Sequence, residues 1–220
     1  MKNTPPPLII EPSSEVRSAV IWMHGLGADA YDFEGIISFL PTTACGIRMI
    51  FPNAPVRPVT INNGFMMRAW YDIADANLKN TDQTGIAESM ASICGLIDEQ
   101  IEAGIAAEKI VVAGFSQGGA IAVHTGLRYP KRLAGIMALS CYVLERQRHT
   151  AEINKHNTNT PIWMAHGTYD NVVPYALGES SAAFLSQNGH NITFISYPMA
   201  HEVCPAEITA LSTWLTEVLG

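Results

Sequence analysis

The sequence predicts a single α/β domain, residues 1–220, with a mostly parallel central sheet and helices on both faces. Short and uniformly apolar runs, typical of strands buried on both faces, alternate along the chain with longer stretches of helical spacing. One such domain is ordinary for 220 residues, and 48% hydrophobic with 15% charged residues is typical of a well-packed globular protein. The alternation contains no inserted block, so we expect no large cap domain.

The first half of the chain predicts three strands and two helices. Residues 8–10 predict an edge strand, and the apolar run 19–23 predicts a buried strand. A helix is expected around residues 33–40, before the strand at 48–51. Apolar residues with helical spacing then run from 85 to 103, after polar residues suited to an N-cap.

The second half continues the same alternation. Its expected elements are a strand at 110–115, a helix directly after residue 116, a strand at 134–139, a strand at 161–165, a helix at 175–187, a strand at 191–197 and a helix at 205–219. Two segments stand outside this pattern. Residues 56–75 are long and apolar for a connection, so they either pack on themselves or line a ligand groove. Residues 145–160 are polar and predict a solvated connection without chemistry.

A glycine–serine motif directly follows the strand at 110–115. Residues 114–119 are Gly-Phe-Ser-Gln-Gly-Gly, and a strand that ends in Gly-x-Ser-x-Gly before a helix is the sharp turn that exposes a nucleophilic serine. Gly114 and Gly118 let neighbouring segments pass without a Cβ clash, and the helix start directs N–H groups at the site. An ordinary Gly/Ser turn is the alternative, so assigning Ser116 as the nucleophile depends on its partners.

An acid and a base follow in the required order, each after a later strand. Asp170 comes after the strand at 161–165, and His201 comes after the strand at 191–197. His201 would take the proton of Ser116, and Asp170 would orient the imidazole. His166 precedes the acid and is expected to shape its loop. The other histidines in the second half suit packing or solvated positions better: His124, His149, His156 and His190.

Residues 24–29, His-Gly-Leu-Gly-Ala-Asp, follow the first buried strand. In a serine hydrolase of this type the loop here donates one backbone N–H to the oxyanion, and we expect Leu26 to supply it. The residue after the nucleophile, Gln117, donates the other. Residues 25–30 also match the dinucleotide-binding pattern G-x-G-x-x-A. That pattern requires a carboxylate at the end of the next strand, where this chain has residues 52–55, Pro-Asn-Ala-Pro, so a nucleotide site is disfavoured.

Taken together, these motifs resemble the phospholipase/carboxylesterase family, which includes acyl-protein thioesterases and small bacterial carboxylesterases. The resemblance rests on residues 24–29, 51–55 (FPNAP), 67–72 (MRAWYD), 114–119 and 166–174 (HGTYDNVVP). It implies an α/β-hydrolase fold and a serine hydrolase that cleaves carboxylic esters or thioesters, with Leu26 and Gln117 as oxyanion donors. One departure is Ala200, where many relatives have glycine before the histidine. If that position required a positive φ, alanine would strain the loop by about 1 kcal/mol or more.

The same resemblance places residues 56–75 beside the active site, as an acyl-chain wall and partial lid. Trp70, Met67 and Phe65 are the expected substrate contacts, with Trp70 the best candidate. Small esters, lysophospholipids and S-acylated proteins all remain open as substrates, and a homodimer is also left open. A non-catalytic binding protein on the same scaffold is disfavoured because all three members of the triad are present.

Composition excludes several other classes of function. The net charge of −7 argues against nucleic acid as a partner and against electrostatic adsorption to anionic membranes. The N-terminus lacks the apolar core of a signal peptide, and no stretch approaches transmembrane length. The four cysteines are scattered without a C-x-x-C pair or zinc spacing, which favours a reducing cytoplasm. We expect no metal and no cofactor.

Overall fold

A computed structural model describes residues 4–75 and 81–220. The first three residues of the N-terminal stretch, for which no signal peptide is predicted, lie outside the described part. The strands are β1 Leu8–Ile10, β2 Ser18–Met23, β3 Ile47–Phe51, β4 Val56–Val59, β5 Phe65–Arg68, β6 Ile110–Phe115, β7 Gly135–Leu139, β8 Ile162–Gly167 and β9 Ile192–Tyr197. The α-helices are α1 Thr42–Cys45, α2 Gln83–Glu102, α3 Gln117–Arg128, α4 His149–Glu152, α5 Tyr175–Gln187 and α6 Pro205–Leu219. Short 3₁₀ helices cover Glu34–Phe39, Thr60–Asn62, Ala107–Lys109, Arg146–Arg148 and Lys155–Asn157.

Seven strands form one twisted sheet in the order β1-β3-β2-β6-β7-β8-β9. The edge strand β1 pairs antiparallel with β3, and all other neighbours in this sheet are parallel. Because parallel strands all end at the same edge, the loops that follow β2, β6, β8 and β9 meet there. The predicted α/β-hydrolase fold without a large cap is confirmed for the described residues.

The sheet is buried on both faces because its strands carry apolar residues at successive positions. In β2, Ile21 packs in the cluster under α2, α3 and α5, whereas Trp22 packs in the opposite cluster under α6. Leu215 of α6 and Ile93 of α2 are both fully buried in these two clusters. Each such side chain contributes about 1.5–3 kcal/mol through burial. Two apolar layers therefore hold the central strands rigidly, and the site rests on their ends.

The segment 56–75 contains a structure that the sequence did not predict. Strands β4 and β5 form an antiparallel hairpin, and a 3₁₀ turn with Asn63 and Gly64 at positive φ closes it. Asparagine and glycine tolerate that conformation better than other residues, which explains the tip. The helix expected around 33–40 is a 3₁₀ helix instead, Glu34–Phe39.

The segment 145–160 is not simply a solvated connection, and that prediction needs correction. Asn157 and Thr160 are fully buried. The Asn157 amide donates to the carbonyl oxygens of Tyr129 and Lys131, and its Oδ1 accepts from the Leu133 N–H, at 2.8–3.0 Å. The side chain thus satisfies backbone groups of the neighbouring loop at the amino ends of the strands, away from the site described below.

Candidate active site

Ser116 stands on a strained turn between β6 and α3. Its backbone has φ 54° and ψ −119°, a combination that non-glycine residues rarely adopt. The Ser116 N–H donates to the Leu139 carbonyl of β7 at 2.8 Å, which fixes the turn to the sheet. A Cβ on Gly114 would collide with the backbone of Gly118, and one on Gly118 would collide with the carbonyl oxygen of Met23. Both glycines therefore permit the close approach that the motif predicts.

Asp170 and His201 are brought together beyond the ends of β8 and β9. The His201 Nδ1 lies 2.7 Å from the Asp170 Oδ2, and the Asp170 Oδ1 accepts the N–H groups of Val172 and Val173 at 2.9 and 2.8 Å. The Asp170 side chain is fully buried, so these three hydrogen bonds replace its hydration. A carboxylate only accepts, so the His201 Nδ1 carries the proton and Nε2 keeps its lone pair.

The His201 ring lies beside the serine turn. Its centroid is 4.7 Å from that of Phe115, the residue before Ser116. The close passage of β8 against the histidine loop requires Gly167, since a Cβ there would meet the carbonyl oxygens of Met199 and Ala200. Ala200 does not belong to the residues with positive φ, so the strain considered for alanine at this position is absent.

His166 supports the Asp170 loop from below. It is fully buried, its Nε2 donates to the Val173 carbonyl at 2.8 Å, and the same nitrogen lies 3.4 Å from the Asp170 Oδ2. Desolvation by burial lowers the pKa of His166, which favours the neutral ring. The position of this histidine agrees with the loop-shaping role that its place in the sequence suggests.

The loop after β2 approaches the serine turn from the other side. Leu26 lies between Gly25 and Gly27, and the Gly27 N–H donates to the Arg68 carbonyl of β5 at 2.9 Å. Gly27 has φ 80°, which only glycine adopts without strain. Leu26 and Gln117 line the same cavity as Ser116, and within the described residues neither backbone N–H has an acceptor. Both amides are thus available to a substrate oxygen.

His24 holds this loop in place, a role that the sequence did not reveal. Its Nε2 accepts the Ala54 N–H at 3.0 Å, so its Nδ1 carries the proton and donates to the Gly25 carbonyl at 2.7 Å. Burial lowers the pKa of His24, which favours the neutral ring that this pairing requires. The indole N–H of Trp70 donates to the His24 carbonyl at 2.9 Å. Both ring nitrogens and the carbonyl oxygen of His24 therefore have hydrogen-bond partners.

The Gln117 side chain joins the serine turn to the segment that follows the hairpin. Its Oε1 accepts the Trp70 N–H and its Nε2 donates to the Tyr71 carbonyl, both at 2.8 Å. The Ser89 hydroxyl of α2 donates to the Trp70 carbonyl. Gln117 is almost completely buried, so these bonds form away from water, where an unpaired group is costly.

A cavity of about 260 Å³ opens beside Ser116 and is mostly apolar. The residues that line it, besides Ser116, Leu26 and Gln117, are Ile61, Asn62, Ile73, Tyr142, Val172, Val173, Pro174 and Leu177. The segment 56–75 therefore contributes to the wall through residues on either side of β5, while residues after β7 and β8 close the other side. The sequence motifs gave no signal for Tyr142 or Leu177, because cavity walls assemble from separate loops.

The three residues expected to contact substrate lie outside the lining of this cavity. Trp70 is 1% exposed and packs against His24 with 5.2 Å between ring centroids. Phe65 is 69% exposed on the outer part of the hairpin. Met67 is half-buried, and its sulfur accepts from the Asn62 amide at 3.4 Å. Trp70 supports the loop after β2 through His24, and its contact with substrate stays a prediction.

No group of three or more side chains able to hold a metal ion occurs within residues 4–75 and 81–220. In the same part of the chain, none of the helices combines the length and the apolar character that a membrane span requires.

Comparison with known proteins gives one consistent family. The family model for phospholipases and carboxylesterases matches residues 5–219. Acyl-protein thioesterase 1 of Neurospora crassa is 38% identical over 225 residues, which cover 97% of this chain and 92% of that protein. The crystal structure of Arabidopsis thaliana SOBER1 has a TM-score of 0.87 at 30% identity and covers 93% of this chain and 100% of its own. Zea mays acyl-protein thioesterase 2 also has a TM-score of 0.87, at 28% identity, with 97% and 99% covered.

Proposed function

Because the chain belongs to the phospholipase/carboxylesterase family of ester hydrolases, we propose that Ser116 is its nucleophile, His201 its general base and Asp170 the acid that orients the base. The observation that carries this assignment is the 2.7 Å contact between His201 Nδ1 and Asp170 Oδ2 beside the strained serine turn. That contact leaves the Nε2 lone pair free to take a proton.

The reaction proceeds in two half-reactions. The Ser116 oxygen attacks the acyl carbonyl while His201 Nε2 takes the hydroxyl proton, and the imidazolium then gives that proton to the departing alcohol or thiol. Water next attacks the acyl-serine ester, His201 accepts a proton from it, and the acid leaves as Ser116 regains its hydrogen. Asp170 remains a carboxylate throughout and stabilises the imidazolium.

The backbone N–H groups of Leu26 and Gln117 stabilise the negative charge of the tetrahedral intermediate. Both residues line the cavity with Ser116, and neither N–H is used elsewhere within the described residues. Each donor of this kind typically contributes about 3–4 kcal/mol to transition-state stabilisation. The support from His24 and Gly27 fixes the first donor before substrate arrives, so no reorganisation is needed during the reaction.

The mostly apolar cavity takes the acyl chain, and its volume of about 260 Å³ suits short or medium chains. The relatives named acyl-protein thioesterase favour a second role within the same chemistry, the release of acyl groups from thioesters on proteins. A thiol is a better leaving group than an alcohol, so the same triad serves both. The four free cysteines support a location in a reducing cytoplasm.

The test compares wild type, Ser116→Ala and a matched control, Ser212→Ala on α6. Substrates are p-nitrophenyl esters from acetate to palmitate, beside an acyl thioester of the same chain length. Ser116→Ala should lose more than about 99% of turnover while Ser212→Ala keeps it, and rapid quenching should leave the acyl mass on a peptide that contains Ser116. Near-normal turnover by Ser116→Ala would refute the assignment. A preference for long acyl thioesters over the esters would favour the thioesterase role.

A further inference from the structure

Two buried tyrosines meet at the wall of the cavity. The hydroxyl oxygens of Tyr71 and Tyr142 are 2.8 Å apart. Tyr71 follows the Gln117-bound Trp70 and is 2% exposed, whereas Tyr142 follows β7, is 6% exposed and lines the cavity beside Ser116. The pair therefore connects the interior of the protein with the space assigned to the acyl chain.

One of the two tyrosine hydroxyl groups keeps a proton that the contact between them does not use. Two hydroxyl groups carry two protons, and the contact between them uses one. Within the described residues neither hydroxyl has another hydrogen-bond partner. If Tyr142 donated to Tyr71, the proton of Tyr71 would be left without an acceptor in the interior, which is unfavourable. The arrangement with Tyr71 as donor leaves the proton of Tyr142 unused, and Tyr142 is the member of the pair that lines the cavity.

Both hydroxyls remain protonated at neutral pH. Desolvation by burial raises the pKa of Tyr142 to about 12 and raises that of Tyr71 well above its ordinary value. The Tyr142 hydroxyl therefore stays a neutral hydrogen-bond donor over the pH range in which a histidine base works.

The rest of the cavity offers little competition for a polar group on the substrate. Both ends of the Gln117 amide are bound to backbone. Asn62 donates one amide N–H to the Met67 sulfur and keeps a second N–H, but this side chain is exposed and already accessible to water. The remaining lining residues, apart from Ser116, have apolar side chains. A spare hydroxyl proton in such a wall favours a substrate that carries an acceptor at that point over one that presents only methylene groups.

We propose that the Tyr142 hydroxyl is a specificity-determining donor that recognises an oxygen atom on the acyl chain, so that ether-, keto- or hydroxy-substituted acyl groups are preferred to plain alkyl chains of equal length. The inference rests on the proposed function, because it requires the acyl chain to occupy the cavity beside Ser116. The leaving group carries no part of this recognition.

The test compares p-nitrophenyl hexanoate with its 4-oxa and 5-oxa analogues, in which an ether oxygen replaces one methylene. The quantity measured is the ratio of kcat/KM for the oxa ester to kcat/KM for hexanoate. This ratio is divided by the ratio of the two esters' rate constants for hydrolysis by hydroxide, which removes inductive effects. Tyr142→Phe should lower this ratio by about threefold to tenfold at the better oxygen position, which is the usual net strength of one hydrogen bond. Tyr71→Phe should keep most of the ratio, since Tyr142 retains its own proton.

The double variant Tyr71→Phe/Tyr142→Phe separates recognition from stability. It leaves no buried hydroxyl without a partner, so its melting temperature should exceed that of Tyr142→Phe while its ratio stays equally low. A ratio equal to that of wild type in both variants that lack the Tyr142 hydroxyl would overturn the inference, as would a loss confined to Tyr71→Phe. An equal preference for an ether oxygen placed in the alcohol instead of the acyl group would also overturn it. Absence of Ser116-dependent turnover of hexanoate would overturn the proposed function and this inference together.

Discussion

Replacing Gln117 with methionine tests whether one side chain couples the hairpin segment to the serine turn. Methionine keeps the length of the side chain and the backbone N–H but removes both hydrogen bonds, to the Trp70 N–H and the Tyr71 carbonyl. Each of these buried backbone groups then lacks a partner, at a cost of about 1–3 kcal/mol apiece. A loss of about 3 kcal/mol lowers the melting temperature by about 6–12 °C for a protein of this size.

The coupling also predicts a change in chain-length preference. When Trp70 and Tyr71 are released, the nearby wall residue Ile73 loses support from that side and keeps only its backbone contacts with Ile61 and Thr81. The ratio of kcat/KM for p-nitrophenyl octanoate to that for acetate should therefore fall by about threefold or more, because a longer chain depends more on that wall.

Asn157→Leu is the matched control, since it removes an equally buried amide that satisfies backbone groups at the opposite end of the strands. It should lower the melting temperature similarly and leave the ratio at its wild-type value. If Gln117→Met also left the ratio unchanged, the coupling through this side chain would be refuted.

Two further predictions concern buried carboxyl groups. Asp170→Asn keeps an acceptor for the Val172 and Val173 N–H groups but presents an amide donor to the His201 ring. Steady-state kinetics should therefore show a kcat at least about a thousandfold lower than that of wild type. A loss of kcat under tenfold would exclude Asp170 as the orienting acid. Glu207 of α6 is fully buried without a side-chain partner within the described residues, and burial raises its pKa from 4.5 to about 8. The folded state therefore holds a proton that the unfolded state releases, so wild type should lose stability relative to Glu207→Gln as pH rises from about 4.5 to 8, by about 4 kcal/mol. Parallel unfolding curves for the two proteins across that range would contradict a buried, proton-retaining Glu207.

The strands and the positions of Ser116, Asp170 and His201 just beyond their ends were predictable because both are locally encoded. Uniformly apolar runs such as Ile110–Phe115 identify strands buried on both faces, and the structure places them as expected. In a parallel sheet those strands end at one edge, so the order of Ser116, Asp170 and His201 along the chain already predicted that they lie near one another.

The position of Trp70 could not be predicted in the same way. A large aromatic residue in an apolar connection suggested contact with substrate, yet its indole N–H is bound by the His24 carbonyl, a partner 46 positions away in the sequence. Burial of Glu207 has the same origin, since its surroundings are set by the packing of α6 on the sheet and not by its neighbours in the chain. Such long-range pairings decide where a side chain points, and spacing alone does not encode them.

The hairpin at 56–68 was missed although its tip carried a signal. Asn63 and Gly64 adopt the positive φ values that favour tight turns. The interpretation of this segment as a wall or lid did not use the turn-forming tendency of Asn63 and Gly64. Asparagine followed by glycine between apolar runs is a strong indication of a hairpin.

The φ of 54° at Ser116 has a consequence for how this protein responds to selection. The backbone angles there suit glycine, and serine is held in them only because the packed sheet and the two close glycines leave no alternative. A population screened for heat resistance alone would drift towards residues that relax this turn, and it would lose the proposed nucleophile while keeping its fold. With Ser116 as the proposed nucleophile, activity and thermal stability make opposite demands on one backbone torsion. Stabilising substitutions are therefore best sought in the two apolar layers on either side of the sheet.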